Sequence, residues 1–301
     1  MMQLGFVSAI LAEQTLEQVF AIAQKLGYGC VELMCWPPGK AHRRYAGVTH
    51  VDVDQFTSID AQAVLALSKK YNVSISGLGY YPNPLDPDLE AREVVVQHLM
   101  KVISAAKLLG VDIVNTFIGR DWKLPIEEQW STMKTVWRRI VDHADQQGVR
   151  IAIENCPMIF GKNEWPGGKN LANTPATWRK LFAEFPQLGL NYDPSHLVWQ
   201  MIDIPRSIRE FGNKIIHVHA KDARIDQDDL YEQGVMGHQW HTPKLPGMGD
   251  VNWGSFFGAL TDAGFNGAVC VEVEDRMFEK SAADRERSLV ISKRFLDQYV
   301  A

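Results

Sequence analysis

Four short apolar runs in the second half of this chain stop at a group able to bind a metal or move a proton. RIAIE (150–154) ends at Glu154, LGLNYD (188–193) at Asp193, IIHVH (215–219) at His219 and AVCVE (268–272) at Glu272. Pro194 follows Asp193 and cannot donate to a sheet ladder, so that strand should stop with the carboxylate at its tip. The two-residue strand period puts His217 on the side of His219, and Glu274 on the side of Glu272 as an alternative to it. Taken singly, a strand-end carboxylate caps the next helix or pairs with a lysine, and a histidine on an apolar strand is a satisfied core residue. Four at equivalent positions form a pattern. Three carboxylates brought together repel one another strongly in a low-dielectric site, and a divalent cation resolves the repulsion. Three oxygens and one nitrogen suit Mn²⁺, Mg²⁺, Co²⁺ or Zn²⁺, without the thiolates that mark a structural zinc.

The elements that must position these groups alternate along the chain. Strands are expected at 4–8, 30–34, 73–78, 112–117, 150–154, 188–193, 215–219 and 268–272. Helical patterns follow them at 16–26, 54–71, 90–109, 126–147, 174–185, 204–211, 253–263 and 283–299. In 90–109, Val95, Leu99, Val102, Ala106 and Leu109 share one face with a 3.6-residue period. Asp54 and Thr174 are the expected N-caps of their helices. Eight β-then-α units predict an α/β fold, a single (β/α)8 TIM barrel with an eight-stranded parallel sheet, with residues 1–301 as one domain. An open doubly wound sheet is the alternative, but no G-x-G-x-x-G follows the first strand, which removes the usual dinucleotide signature. Connections from helix to strand are tight (27–29, 72, 110–111, 148–149), whereas those from strand to helix are often long (35–53, 156–173, 220–252). The elaborated loops therefore sit at the C-terminal ends of the strands, the catalytic face of a barrel.

Composition narrows the classes. A formal net charge of -5 over 301 residues offers no basic footprint for nucleic acid. The four cysteines are scattered with no CxxC pair, which predicts reduced thiols and a cytoplasmic protein. MMQLGFVSAILAEQ has no basic n-region and reads as a first strand rather than a signal peptide. No apolar run is long enough to span a bilayer, so no membrane partner is expected.

In this order and spacing, IAIEN, NYDPSH, HVHAKD and PGMGDVNW…GFNGAVCVE resemble the xylose-isomerase-like TIM-barrel superfamily. The resemblance runs over nearly the whole chain and is strongest to the sugar phosphate isomerase/epimerase branch, with its ketose 3-epimerases and inosose dehydratases. It implies a single divalent metal held by positions matching Glu154, Asp193, His219 and Glu272, the spacing from Gly267 favouring Glu272 over Glu274. It further implies substrate contacts at His196, at Glu32 on the second strand, and at Arg224, the nearest arginine after the metal histidine. A homo-oligomer, dimer or tetramer, is implied as well. Endonuclease IV-like members of the superfamily need extra histidines from early strands. Here the third and fourth strands end in LGYY and NTFIG, which argues against a DNA enzyme.

The chemistry expected is a divalent-metal-dependent isomerase or epimerase acting on a carbohydrate, a sugar or polyol, through a metal-stabilised enediolate. Glu154 and Glu272 would act as acid and base, with His196 stabilising the enolate oxygen. The rival is a lyase or dehydratase on a keto-sugar or inosose using the same enolate. His238 or His241, on the long 220–252 loop, would then protonate a leaving group, or both merely line a loop packed by Trp240. A third reading is a non-catalytic sugar-binding barrel. Among Trp36, Tyr80, Tyr81, Phe117, Trp165, Trp199 and Trp240 some should stack on a sugar face. Lys162, Lys169, Lys221 and Lys244 read as ordinary loop lysines, and no Gly-rich phosphate cradle is present.

Overall fold

The apolar runs expected as strands form β1 (Gln3–Val7), β2 (Cys30–Met34), β3 (Ser74–Gly79), β4 (Ile113–Thr116), β5 (Arg150–Glu154), β6 (Gly189–Tyr192), β7 (Ile215–Ala220) and β10 (Ala268–Val271). Between β7 and β10 lie two further strands, β8 (Asp222–Ile225) and β9 (His241–Lys244). The helices are α1 (Leu16–Leu26), α2 (Ser58–Tyr71), α3 (Leu89–Leu109), α4 (Trp130–Gln147), α5 (Pro175–Glu184), α6 (Ser195–Trp199), α7 (Ile204–Phe211), α8 (Gln227–Gln233), α9 (Trp253–Asp262) and α10 (Ala282–Leu296). The structure is a computed structural model and describes residues 1–39, 44–159, 167–237 and 240–300.

The eight long-predicted strands close into one parallel barrel, in the order β1-β10-β7-β6-β5-β4-β3-β2. This is the α/β TIM barrel expected, with helices between the strands. β1 pairs in parallel with β2 (Phe6 opposite Val31) and with β10 (Phe6 opposite Val271), and β10 pairs with β7 (Cys270 opposite His219). β8 and β9 stand apart as an antiparallel hairpin with Ala223 opposite Pro243. The chain packs as two compact units, Met1–Glu32 with Leu67–Ser76 and Asn191–Ala301 in one, Leu33–Ala66 with Gly77–Leu190 in the other. The boundaries along the chain fall inside β2, α2, β3 and β6. In the first unit Phe6, Phe20, Trp240 and Phe256 are buried; in the second, Trp137 and Trp178 are. These last two indoles each find an acceptor, Trp137 Nε1 donating to the Ile118 carbonyl and Trp178 Nε1 to that of Ala172, each at 2.8 Å. A buried indole without an acceptor would carry a desolvation cost.

Local signals set the helix ends. Thr174 caps α5 through a reciprocal box with Thr177, as expected. α4 stops at Gly148, whose φ of 67° lets its amide reach back to Ala144 and Asp145 and turns the chain straight into β5. Asn72 does the same work after α2 at φ 52°. Two expectations need correction. α2 starts at Ser58 rather than near Asp54, because Thr57 and Asp60 exchange side-chain and backbone hydrogen bonds at its start. Asp54 instead pairs with Lys101 at 2.5 Å. The first turn of the helix expected from 126 is a separate 3-10 turn, Ile126–Gln129, ahead of α4.

The long connection after β7 is folded rather than loose. Asp222, fully buried, accepts hydrogen bonds from the amides of Ala223 (2.9 Å), Gly247 (3.0 Å) and Val251 (3.0 Å) and from Trp253 Nε1 (2.8 Å). Burial pushes its carboxyl above the usual range, while those donors act against the rise. Gly249 passes so close that a Cβ there would collide with Asp222 Oδ1 and lie 2.5 Å from the Ala223 carbonyl oxygen.

Candidate active site

Each candidate ligand sits where a strand gives out. Glu154 is the last residue of β5 and is 3% exposed. Just beyond, Asn170 Nδ2 donates to the carbonyls of Glu154 (2.9 Å) and Cys156 (2.7 Å), fixing the chain as it leaves the strand. Asp193 follows β6 and is fully buried. Its Oδ1 accepts from the Ser195 amide at 2.8 Å, at the start of α6. Its Oδ2 lies 3.0 Å from Lys221 Nζ and 3.2 Å from His196 Nε2. The two oxygens of this carboxylate thus meet different partners, the Ser195 amide on one and the Lys221 and His196 side chains on the other.

His219, on β7, is held from behind. Its Nε2 lies 2.8 Å from Glu32 Oε2, and its Nδ1 faces Glu272 Oε2 at 3.6 Å. An ionised carboxylate can only accept, so Nε2 donates to Glu32; in the neutral ring, once the Nδ1 proton is lost, Nδ1 would be the nitrogen facing a cation. Burial disfavours the imidazolium, but Glu32 and Glu272 outweigh it and hold His219 well above its ordinary pKa. Glu272 follows β10, its amide donating to the Ala220 carbonyl at 3.2 Å. Burial would raise its pKa; Lys221 and His219 overcome that and hold it well below the usual range. Beneath the cluster, Asn191 sits between the two histidines, its amide 3.0 Å from His219 Nε2 and 2.9 Å from His217 Nδ1. His217 Nε2 meets Ser76 Oγ at 3.2 Å, so this histidine is a satisfied interior group.

Glu154, Asp193, His219 and Glu272 each offer one ligand atom, and these atoms lie within 4.8 Å of one another. Glu274 is not in that group; it joins Lys221 Nζ at 3.1 Å. Three carboxylate oxygens and an imidazole nitrogen, all but Glu272 buried, and spaced in this way, fit a divalent ion of the hard or borderline kind.

The remaining expected residues are not all brought together. His196 is at the cluster, against Asp193, with its ring edge-on to Trp199 (centroids 6.5 Å apart). His241 opens β9 and lies flat on Trp199, centroids 4.4 Å apart and planes 3° from parallel. Glu32, expected to contact substrate, is 0% exposed and stands behind His219 rather than before it. The strand period gave its face but not its depth. Arg224 is exposed on β8 opposite Thr242 and is not drawn to the cluster. Trp36 is half-buried and packs edge-on to Tyr80, with centroids 4.9 Å apart. Lys162, Trp165 and His238 lie outside the described residues.

Of the loop lysines, Lys169 lies over the Trp122 ring at 4.3 Å and Lys244 pairs with Asp275 at 3.3 Å. Lys221 departs from the expectation. It is 3% exposed, and its Nζ contacts Asp193 (3.0 Å), Glu272 (2.5 Å) and Glu274 (3.1 Å). HVHAKD carried the signal, since Lys221 stands two residues beyond His219 and so on the same strand face.

Among the described residues no helix is long and apolar enough to cross a membrane. YfiH, an uncharacterized protein of Bacillus subtilis (strain 168), is 27% identical over 325 residues, which span 94% of this chain and 96% of that one. An inosose dehydratase of Geobacillus thermodenitrificans is 27% identical over 153 residues, 49% of this chain and 48% of its own. The solved D-psicose 3-epimerase of Clostridium cellulolyticum H10 superposes with a TM-score of 0.72 at 16% identity, covering 99% of both chains. Named relatives and neighbours thus include both an epimerase and a dehydratase. Residues 20–299 match the family described as xylose isomerase-like TIM barrel, and the chain belongs to that family.

Proposed function

We propose that this protein is a divalent-metal-dependent isomerase or epimerase acting on a sugar or sugar-like polyol. The observation that carries the reading is the convergence of Glu154, Asp193, His219 and Glu272 within 4.8 Å at the ends of their strands. A divalent ion bound there supplies Lewis-acid polarisation of adjacent carbonyl and hydroxyl oxygens, which acidifies the neighbouring C–H. Glu272 accepts the proton, and Glu154 returns one from the other side of the substrate. His196, beside Asp193, donates to the oxygen on which charge develops.

A second reading draws on the inosose dehydratase relatives: the same proton abstraction from a keto-sugar or inosose, followed by loss of a group beta to the carbanion. His241, half-buried on Trp199, would then protonate the leaving group. One experiment separates the two. The protein is stripped with chelator, reloaded with Mn²⁺ and offered ketohexoses and inososes in D₂O. Uptake of one deuterium without loss of water supports isomerisation; an unsaturated product supports the lyase. Bound ion with neither outcome on any substrate leaves the sugar-binding barrel. Glu154→Gln and Glu272→Gln should each abolish turnover in a folded protein, and substantial remaining activity would sink the acid–base assignment.

A further inference from the structure

Lys221 is out of place for a lysine. Its side chain is 3% exposed, and lysines are seldom buried unless paired. It contacts three carboxylates, Asp193 Oδ2 at 3.0 Å, Glu272 Oε2 at 2.5 Å and Glu274 Oε2 at 3.1 Å. Two of those carboxylates belong to the group that converges on a candidate ion, and the third does not. Asp193 Oδ1 is engaged by the Ser195 amide, so Oδ2 is the oxygen that both the ammonium and an ion would draw upon. An ammonium and a divalent cation cannot both hold Asp193 and Glu272 closely, since each repels the other across a few ångströms. Glu274 offers the ammonium a partner outside the ion's group.

We propose that Lys221 is the built-in counter-ion of this site. Before an ion arrives it holds Asp193 and Glu272 together; it competes with the ion for both, and it withdraws onto Glu274 when the ion binds. The effect is to preassemble the carboxylates while keeping the ion's affinity low enough for exchange. This rests on the metal-dependent reading given above and assigns to the neighbouring lysine and glutamate a role in setting affinity.

The test is calorimetric titration of MnCl₂ into the chelator-treated full chain, with thermal unfolding before and after metal. Lys221→Met should bind Mn²⁺ at least tenfold more tightly than wild type, melt lower without metal, and gain more from its addition. Lys221→Arg, which keeps the charge, should stay closer to wild type. Glu274→Gln should weaken binding several-fold, and that loss should vanish in a Lys221→Met background, because Glu274 acts through the lysine. Equal or weaker affinity in Lys221→Met overturns the proposal, as does a Glu274→Gln effect of the same size in both backgrounds. If Lys221→Met does not fold, Glu274→Gln alone decides, unchanged or tighter binding counting against. A wild-type chain that binds no divalent ion overturns the metal reading and this proposal with it; binding that is indifferent to Lys221 overturns only the latter.

Discussion

Replacing Glu32 by Gln removes one charge from a fully buried position and leaves the volume of the side chain almost unchanged. The carboxylate accepts a hydrogen bond from His219 Nε2 at 2.8 Å, which leaves Nδ1 directed toward Glu272. A hydrogen bond to a charged partner contributes roughly 1.5–3 kcal/mol, against about 1 kcal/mol for a neutral one. The substitution therefore costs His219 about 0.5–2 kcal/mol of orienting energy by that comparison. At about 1.4 kcal/mol per tenfold, this is roughly a two- to thirtyfold loss of metal affinity. It overlaps the roughly ten- to hundredfold losses typical of groups that orient a ligating histidine. The amide can also turn its NH₂ toward Nε2, which shifts the ring proton to Nδ1 and blocks the nitrogen that faces the cluster. Mn²⁺ titration by calorimetry measures the affinity, and nitrogen NMR of the histidine ring reads the tautomer. Affinity within twofold of wild type, with Nε2 still protonated, would refute the assignment of Glu32 as the group that orients His219.

Two other perturbations probe the frame. Gly249→Ala drives a methyl group into Asp222 and the Ala223 carbonyl, and should destabilise the protein by on the order of 2 kcal/mol. A urea midpoint equal to that of wild type would contradict the close approach. On the outer helices, Arg139 hydrogen bonds hold the Glu93 carboxyl at about 2, below its ordinary 4.5. A depressed carboxylate contributes stability that is present above about pH 4.5 and is lost as pH falls toward 2. The difference in melting temperature between wild type and Arg139→Gln, small because the pair is exposed, should therefore close over that interval; a gap constant down to pH 2 would disprove the coupling.

How much of this was readable in the residues follows from what each signal encodes. Strand runs such as CVELM and RIAIE are bounded by polar or Gly-containing turns, and both form β2 and β5 with the expected ends. The strand-end positions of Glu154, Asp193, His219 and Glu272 were legible because a two-residue period and a closing proline or helix fix where a strand stops. What a side chain meets across the barrel is a long-range fact. Glu32 stood on the correct face of β2, but only packing shows its carboxylate on His219. The spacing of Lys221 from His219 fixes its face, but charge type carries no measure of burial, so its depth was not legible. The β8–β9 hairpin went unseen since DARI and HTPK are short and lack a run of apolar alternation. Asp54 resembled a cap by residue type, and Thr57 took the position through its exchange with Asp60.

Asp222 has a consequence beyond stability. Its carboxylate ties the beginning of the excursion after β7, at Ala223, to its end, at Gly247, Val251 and Trp253. With the base of the loop held, the cost of closing it grows only slowly with the length of chain between. The described residues between Arg224 and Leu245, which include α8 and β9, hang from that clasp, and His241 packs on Trp199 of α6. Substitutions there should leave the clasp and the strand ends beneath in place. New substrate preferences on this scaffold would most readily arise by rewriting that segment.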